Sequence, residues 1–327
     1  GVESHVLPAR HWDHALLPLE PVYRGQWWKN VRLPWSVYRS VSAILTILRR
    51  ENPVLVVGTG GYVSGPVVWV AARRGVPAII QEQNAYPGIT TRLLAGRVRQ
   101  IHLGFPEGRR FIRPGPATEV LDSGNPIEPP PAPDRRMSRA ESKRRLGLNP
   151  DRPLVVVVGG SQGALAINQV MAAAVESGHW PQSVSLVWQT GTAHADRFLH
   201  LARAGVRIQP FLDPISDVYS AADLLLTRAG AMTLAEEAAW GLPAILVPLP
   251  TAAANHQLHN ARAVAAAGAA VLIEQRDLTA ELVIRTVSEL LEAPERLAVM
   301  SRRALERGRP QAAETIATAA LRLMSIA

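Results

Sequence analysis

The run Val155-Val-Val-Val-Gly-Gly-Ser-Gln-Gly-Ala164 constrains the fold of this chain more than any other stretch. Consecutive valines suit a strand buried on both faces, Gly159, Gly160 and Gly163 permit a tight turn with close ligand approach, and Leu165 to Val175 has the spacing of an amphipathic helix. Together they read as a parallel strand, a glycine turn and a helix start. The helix N-terminus offers unpaired N–H groups and a partial positive charge, and Ser161 adds a hydroxyl donor, so the turn is suited to a phosphate. Glycines after a buried strand also serve strand–helix packing alone, and this motif by itself leaves both readings open.

The same pattern occurs earlier. Pro53-Val-Leu-Val-Val-Gly58 reads as a strand and Thr59-Gly-Gly-Tyr-Val-Ser-Gly-Pro66 opens a helix. Ala78 to Asn84 reads as the next parallel strand, with its polar residues at the carboxyl end, where open α/β sheets bind ligands. Gln100 to Phe105 and Thr118 to Ser123 read as later strands of that sheet. A proline-rich, charged stretch from Gly124 to about Arg152 reads as a linker with a short helix. Beyond it, Val184 to Gln189, Val206 to Phe211, Leu224 to Thr227 and Ala244 to Pro248 are candidate strands separated by helices. Such alternation implies a parallel sheet covered on both faces. Terminal helices are expected over Thr279 to Leu291 and Gln311 to Met324. The expected organisation is a domain over 1–123, a linker over 124–152 and a second domain over 153–327, whose last helix packs back on the first.

The length of 327 residues accommodates two such domains, and 47% apolar with 19% charged residues describes a globular protein. The absence of cysteine excludes disulfides and thiolate metal sites. No stretch reaches the roughly 18 apolar residues of a membrane-spanning helix, and the opening residues do not read as a secretory signal. A net charge of +8 suits an anionic partner such as a nucleotide, a nucleic acid or an acidic membrane surface. Arg24 to Arg39 places Trp27, Trp28 and Trp35 among cations that include Lys29 and Arg32. Indoles beside cations are what a membrane interface selects; the alternative is a helix whose aromatics face the core.

Two further polar sets carry chemistry. In Arg228-Ala-Gly-Ala-Met-Thr-Leu-Ala-Glu-Glu237 a small-residue turn opens a helix, and an acidic residue there can accept both hydroxyls of a ribose, with Glu236 the better placed. Both glutamates also complement a helix dipole, a purely structural role. Asn255-His-Gln257 and Asn260 follow the last candidate strand, and Glu82-Gln-Asn84 supplies a matching set from the first domain. Carboxamides offer donor and acceptor together, as neutral sugar hydroxyls require. Two facing polar sets with glycine turns imply a cleft between the domains.

In order and spacing, Gly58 to Gly65, Glu82 to Asn84, Gly124-Asn-Pro126, Gly159 to Ala164, Arg228 to Glu236 and Asn255 to Ala261 resemble the MurG family of lipid II-forming N-acetylglucosaminyltransferases. The resemblance implies an α/β GT-B glycosyltransferase, with two Rossmann-like domains and the cleft between them. It implies inverting transfer of GlcNAc from UDP-GlcNAc to the muramoyl 4-hydroxyl of lipid I in peptidoglycan synthesis. By the same resemblance, Ser161 contacts the diphosphate, Ala231, Met232, Thr233, Leu234 and Ala235 form the nucleotide turn, and Glu236 holds the ribose. Leu212 sets its backbone against uracil, Gln257 and Asn84 hold GlcNAc, and Gly60, Gly61, Tyr62 and Glu82 lie on the acceptor side. The implied partners are UDP-GlcNAc, lipid I and an anionic membrane at the cytoplasmic face of the bacterial inner membrane, with no nucleic acid, metal or cofactor. A different UDP-sugar enzyme of this fold, such as a UDP-GlcNAc 2-epimerase, and a non-catalytic membrane-bound UDP-GlcNAc-binding protein are the alternatives. A nicotinamide oxidoreductase is disfavoured, because the turn at Gly159 lacks the complete Gly-x-Gly-x-x-Gly pattern.

Two departures from the family pattern stand out. The family opens with a strand and a glycine-rich loop bearing a histidine, and this chain begins past that point, so weak stability and weak turnover are expected. No catalytic base is assigned; His102 and Glu82 are the first residues to test. After Gly-Asn-Pro the family usually carries an aliphatic residue and an arginine, whereas this chain has Ile127-Glu128. A reversed charge beside a diphosphate should weaken binding unless Glu128 points away.

Overall fold

The computed structural model describes residues 3–17, 33–160 and 163–326. Trp27, Trp28, Lys29, Arg32 and Ser161 lie outside the described residues.

Two parallel sheets organise the chain. The first contains β1 (Val56–Gly58), β2 (Ala78–Glu82), β3 (Gln100–Leu103) and β4 (Glu119–Leu121) in that spatial order. The second contains β5 (Leu154–Val158), β6 (Ser185–Gln189), β7 (Val206–Gln209), β8 (Leu224–Thr227), β9 (Ala244–Leu246) and β10 (Ala270–Leu272), ordered β10-β9-β8-β5-β6-β7. The order reverses direction beside β5, which is the position where doubly wound sheets open a ligand crevice.

Strand β5 shows why its sequence folds this way. Val155 and Val157 enter one apolar core while Leu154, Val156 and Val158 enter the other, so both faces are covered by helices. A strand with two dry faces has no polar alternation, and side chains pointing alternately to either face explain the continuous aliphatic run. The first domain has its own smaller core around Ile80, Ile101, Leu103 and Val68.

The two halves are joined by side chains as well as by the linker. Ala85 and Phe105, from the first sheet's loops, pack into the second domain's core with Leu234 and Leu212. Arg307, at the end of the helix Pro294–Arg307, pairs bidentately with Glu107 at 2.8 and 3.2 Å and lies over the Phe105 ring. Gly124 has φ +86°, and a Cβ there would sit 2.4 Å from that of Arg309, so glycine is required where the chain's last segment crosses the linker. The final helix, Ala312–Ile326, lines a groove together with Gln100 and Glu119 of the first sheet.

Most strands lie where their aliphatic runs place them, with shorter ends. Strand β10 is absent from the sequence reading because Ala270–Leu272 follows an alanine-rich helix without a β-branched run. The helix Pro294–Arg307 and the short helix Glu3–Ala9 are likewise additional to it.

Candidate active site

A cavity of about 470 Å³ opens at the carboxyl edge of the second sheet. Gly159, Gly160 and Gly163 form one wall, and Gly163 has φ +74° with Thr190 O only 2.1 Å from where a Cβ would stand. Any side chain there would push the turn off β6. Two helices, Leu165–Glu176 and Ala231–Trp240, begin at this cavity, and neither has a side-chain cap or an acidic residue in its first turn. Two uncompensated helix N-termini therefore face one space, and both favour an anion.

Arg228 adds a full charge to the same wall. It follows β8 directly, donates to Val247 O at 3.1 Å and Pro248 O at 3.4 Å, and donates to Gln275 Oε1 at 2.7 Å. Burial lowers its pKa below the usual arginine value, which still leaves it protonated at neutral pH. The guanidinium thus fixes the loop after β9 while remaining on the cavity wall. Sequence reading gave Arg228 no role; a cation directly after a buried strand, before a glycine turn, was the available signal.

Of the residues expected to bind the donor, Thr233 and Gln257 line this cavity, and Ala231 and Met232 stand in the uncapped first turn beside it. Gln257 Oε1 accepts from the Leu249 N–H at 2.9 Å. Leu234 is buried, and Ala235 and Glu236 are half-buried one turn further on. Tyr219 donates its hydroxyl to Glu236 Oε2 at 3.5 Å. Burial raises the Glu236 pKa; the Tyr219 hydrogen bond opposes this, and the charge of Glu128 reinforces it. The exposed Glu128 therefore acts electrostatically on the residue expected to meet the ribose.

Leu212 is 3% exposed, and its N–H donates to Gln189 Oε1 at 3.2 Å. Gln189 Nε2 in turn donates to Gly160 O at 3.0 Å. One buried carboxamide thus ties the glycine turn to the Leu212 loop, a link that sequence alone does not reveal because it joins the ends of three strands.

Across the cleft, Glu82 closes a loop onto itself. Its Oε1 accepts from Asn84 N, and its Oε2 accepts from Gly88 N at 3.0 Å and from the Thr91 hydroxyl at 2.5 Å. This carboxylate is 4% exposed, so its visible role is to hold the loop of Asn84 to Gly88. Asn84 Oδ1 accepts from Asn260 Nδ2 at 3.1 Å, which places its carboxamide at the seam between domains, outside the residues lining the donor cavity. Gly60 and Gly61 are both at positive φ, Gly60 as the N-cap and Gly61 as the first residue of the helix Gly61–Arg73, and Tyr62 is 54% exposed. Gln83 Nε2 donates to Thr59 O at 2.7 Å, which anchors that glycine turn to β2. His102 is fully buried within β3, hydrogen-bonded to Ser123 and Gln100, with its pKa lowered chiefly by burial. It is a core residue, and the expectation that it deserves testing as a base is corrected by that burial.

Residues 154–316 match the glycosyltransferase family 28 C-terminal domain and residues 1–103 match the family 28 N-terminal domain. The sequence is 40% identical over 326 residues to the UDP-N-acetylglucosamine–N-acetylmuramyl-(pentapeptide) pyrophosphoryl-undecaprenol N-acetylglucosamine transferase of Moorella thermoacetica, covering 97% of this chain and 86% of that one. It is 38% identical over 323 residues to the enzyme of the same description from Chlorobaculum parvum, with the same coverage. Among solved structures, MurG of Acinetobacter baumannii superposes with a TM-score of 0.78 at 27% identity, over 98% of this chain and 88% of that one. A UDP-GlcNAc 2-epimerase from Neisseria meningitidis shares the fold alone, at 14% identity and a TM-score of 0.64 over 98% of this chain and 88% of that one.

Proposed function

This chain belongs to glycosyltransferase family 28, among the GlcNAc transferases that form lipid II, and we propose that it works from the cavity between its two uncapped helices. It is a hexosyltransferase of peptidoglycan synthesis with a two-domain GT-B fold. UDP-GlcNAc is its donor and lipid I its acceptor. The observation that carries the site assignment is the convergence of two helix N-termini and Arg228 on one space.

In the proposed arrangement the second domain, 153–327, binds the donor and the first, 1–123, binds the acceptor across the linker 124–152. The diphosphate rests on the glycine turn, with Ser161, and on the first turn of the helix Ala231–Trp240. Leu212 meets the base and Glu236 the ribose, while Gln257 and Asn84 approach the GlcNAc from opposite sides. Gly60, Gly61 and Tyr62 face the acceptor, and Glu82 shapes the loop between them and the seam. In inverting transfer the muramoyl 4-oxygen bonds to C1 of GlcNAc as the bond from C1 to the diphosphate oxygen breaks. The electron pair leaves with UDP and the hydroxyl proton passes to solvent or a base. Fixed donors at helix N-termini act most strongly on the charge that grows on departing UDP, so they stabilise the transition state more than the ground state.

The membrane face is proposed on the helix Leu33–Glu51. Trp35 and Tyr38 stack at 5.8 Å while 64% and 66% exposed, with Arg39, Arg49 and Arg50 on the same helix. Aromatic rings flanked by guanidiniums suit anionic lipid headgroups. Among the described residues no helix is long and apolar enough to cross a membrane. Peripheral attachment at the cytoplasmic face of the inner membrane is the proposed location.

The test is UDP release from UDP-GlcNAc with and without a lipid I analogue. Release that depends on the acceptor, with the disaccharide recovered, supports the assignment. Formation of UDP-ManNAc, or donor binding without transfer, overturns it.

A further inference from the structure

A second cavity, of about 210 Å³, lies between the two domains and shares no lining residue with the donor cavity, although Leu234 and Ala235 of the expected nucleotide turn border it. Its walls come from both domains: Leu103 and Phe105 from the first, Leu234 and Leu242 from the second, with Ala304 and Arg309 from the chain's closing segments. A space bordered by both domains is not explained by close packing of either core alone.

The polar groups around it are mostly satisfied from within. Arg307 pairs with Glu107, Glu306 with Arg303, and Asp122 with Arg109. Two groups stand apart. Arg309 forms no ion pair among the described residues, donating only to the carbonyls of Glu306 and Gly308. Glu237 is 2% exposed and lines the cavity, yet only its Oε1 has a partner, the Thr227 hydroxyl at 2.7 Å. Burial, reinforced by neighbouring Glu236, holds the Glu237 pKa up at about 8, so at neutral pH the group is chiefly a carboxylic acid with a proton to donate.

Size and chemistry together define an occupant. An apolar cavity of about 150 Å³ accepts benzene, so this one has room for a single ring and one small polar group. Leucine and phenylalanine walls suit the ring, the unpaired guanidinium suits an anion, and the buried acid supplies a hydrogen bond to an acceptor oxygen.

We propose that the interdomain cavity is a second ligand site for a single-ring aromatic carboxylate, held by Arg309 and Glu237 with its ring against Leu103, Phe105, Leu234 and Leu242. The helix Ala231–Trp240 connects it to the donor cavity: Thr233 lines one and Glu237, one turn later on the same stripe, lines the other. An occupant touching both domains restrains their relative movement.

Benzoate is the probe, read by saturation-transfer NMR on the whole chain. About nine non-hydrogen atoms correspond to millimolar binding. Ala304→Leu fills the space and should abolish the benzoate signal. Arg309→Met, at an exposed position, should weaken benzoate roughly tenfold or more, the loss expected of a charge-assisted contact, while leaving neutral benzamide unchanged. Cooperative melting of each variant establishes that it folds, and Arg309→Met keeps the test decisive if Ala304→Leu does not. Absence of a benzoate signal with the unaltered chain, or its persistence at full strength in either folded variant, overturns the assignment. Binding is read without donor or acceptor, so the outcome is separate from that of the transferase assay.

Discussion

Asn260 donates from Nδ2 to Asn84 Oδ1 at 3.1 Å, a side-chain bridge from the second domain to the first. The same fully buried carboxamide accepts from Ala85 N at 2.8 Å and donates to Ala229 O at 3.2 Å. Replacing it with leucine leaves a buried N–H and a buried carbonyl without partners, so Asn260→Leu should lose about 2 to 4 kcal/mol of stability. Denaturant titration measures this. Turnover should fall more than UDP affinity, because the freed loop of Asn84 to Gly88 belongs to the other domain; an equal fall in both would contradict that separation.

Arg228 combines charge with geometry, and the two can be parted. Its fork reaches Val247 O, Pro248 O and Gln275 at once, an arrangement a lysine ammonium cannot reproduce. Arg228→Lys should therefore keep the charge yet raise the UDP-GlcNAc KM by about tenfold, and Arg228→Met should raise it further. Steady-state kinetics against donor concentration decides; a lysine variant matching the parent would mean that charge alone matters.

Gln189 links Gly160 O to Leu212 N–H, so it sets the spacing between the turn proposed for the diphosphate and the loop proposed for the base. Gln189→Met, similar in volume and unable to form either bond, should raise the donor KM several-fold with a smaller change in kcat. Inorganic phosphate, which spans only one of the two subsites, should inhibit both proteins equally. A kcat effect larger than the KM effect would assign Gln189 another role.

Trp35 and Tyr38 stack on the exposed side of their helix, while Ser36, Ser40 and Ile44 are buried. Trp35→Ser with Tyr38→Ser should weaken binding to phosphatidylglycerol vesicles at least tenfold and leave the melting temperature nearly unchanged. Co-sedimentation with vesicles reads the first, and calorimetry the second. Unaltered vesicle binding would move the membrane face elsewhere.

Local chemistry made every strand but β10, and both glycine turns, legible. Runs such as Leu154–Val158 have few alternatives to a buried parallel strand, and glycines with positive φ, such as Gly163, mark turns that no side chain fits. The polar sets around Asn84 and Gln257 could be read as facing one another, because carboxyl ends of parallel strands share one edge. What each side chain touches could not. Glu82 spends both oxygens on its own loop and Asn84 meets Asn260, 176 positions away. His102 looked equally available for chemistry, and only the sheet around it shows that its ring is enclosed. Pairings of that range are set by how two domains meet, and one chain's residue order contains no period or spacing that encodes them.

Glu237 gives a pH dependence whose sign follows from its burial. The folded-state pKa is about 8 against an ordinary value of 4.5, so between those values the folded protein binds more protons than the unfolded one. Stability should therefore fall as pH rises through this window, by at most about 1.4 kcal/mol per unit from this group, and level off above pH 8. Glutamine keeps an acceptor for the Thr227 hydroxyl and has nothing to titrate. Glu237→Gln should consequently gain on the parent as pH rises from 5.5 to 8, by an amount on the order of a few kcal/mol. Glu236 shifts in the same direction and is common to both proteins, so the difference between their urea midpoints isolates Glu237. Parallel stability curves across that range would mean that the buried acid is already ionised at neutral pH, and the interdomain cavity would then present a negative charge rather than a proton.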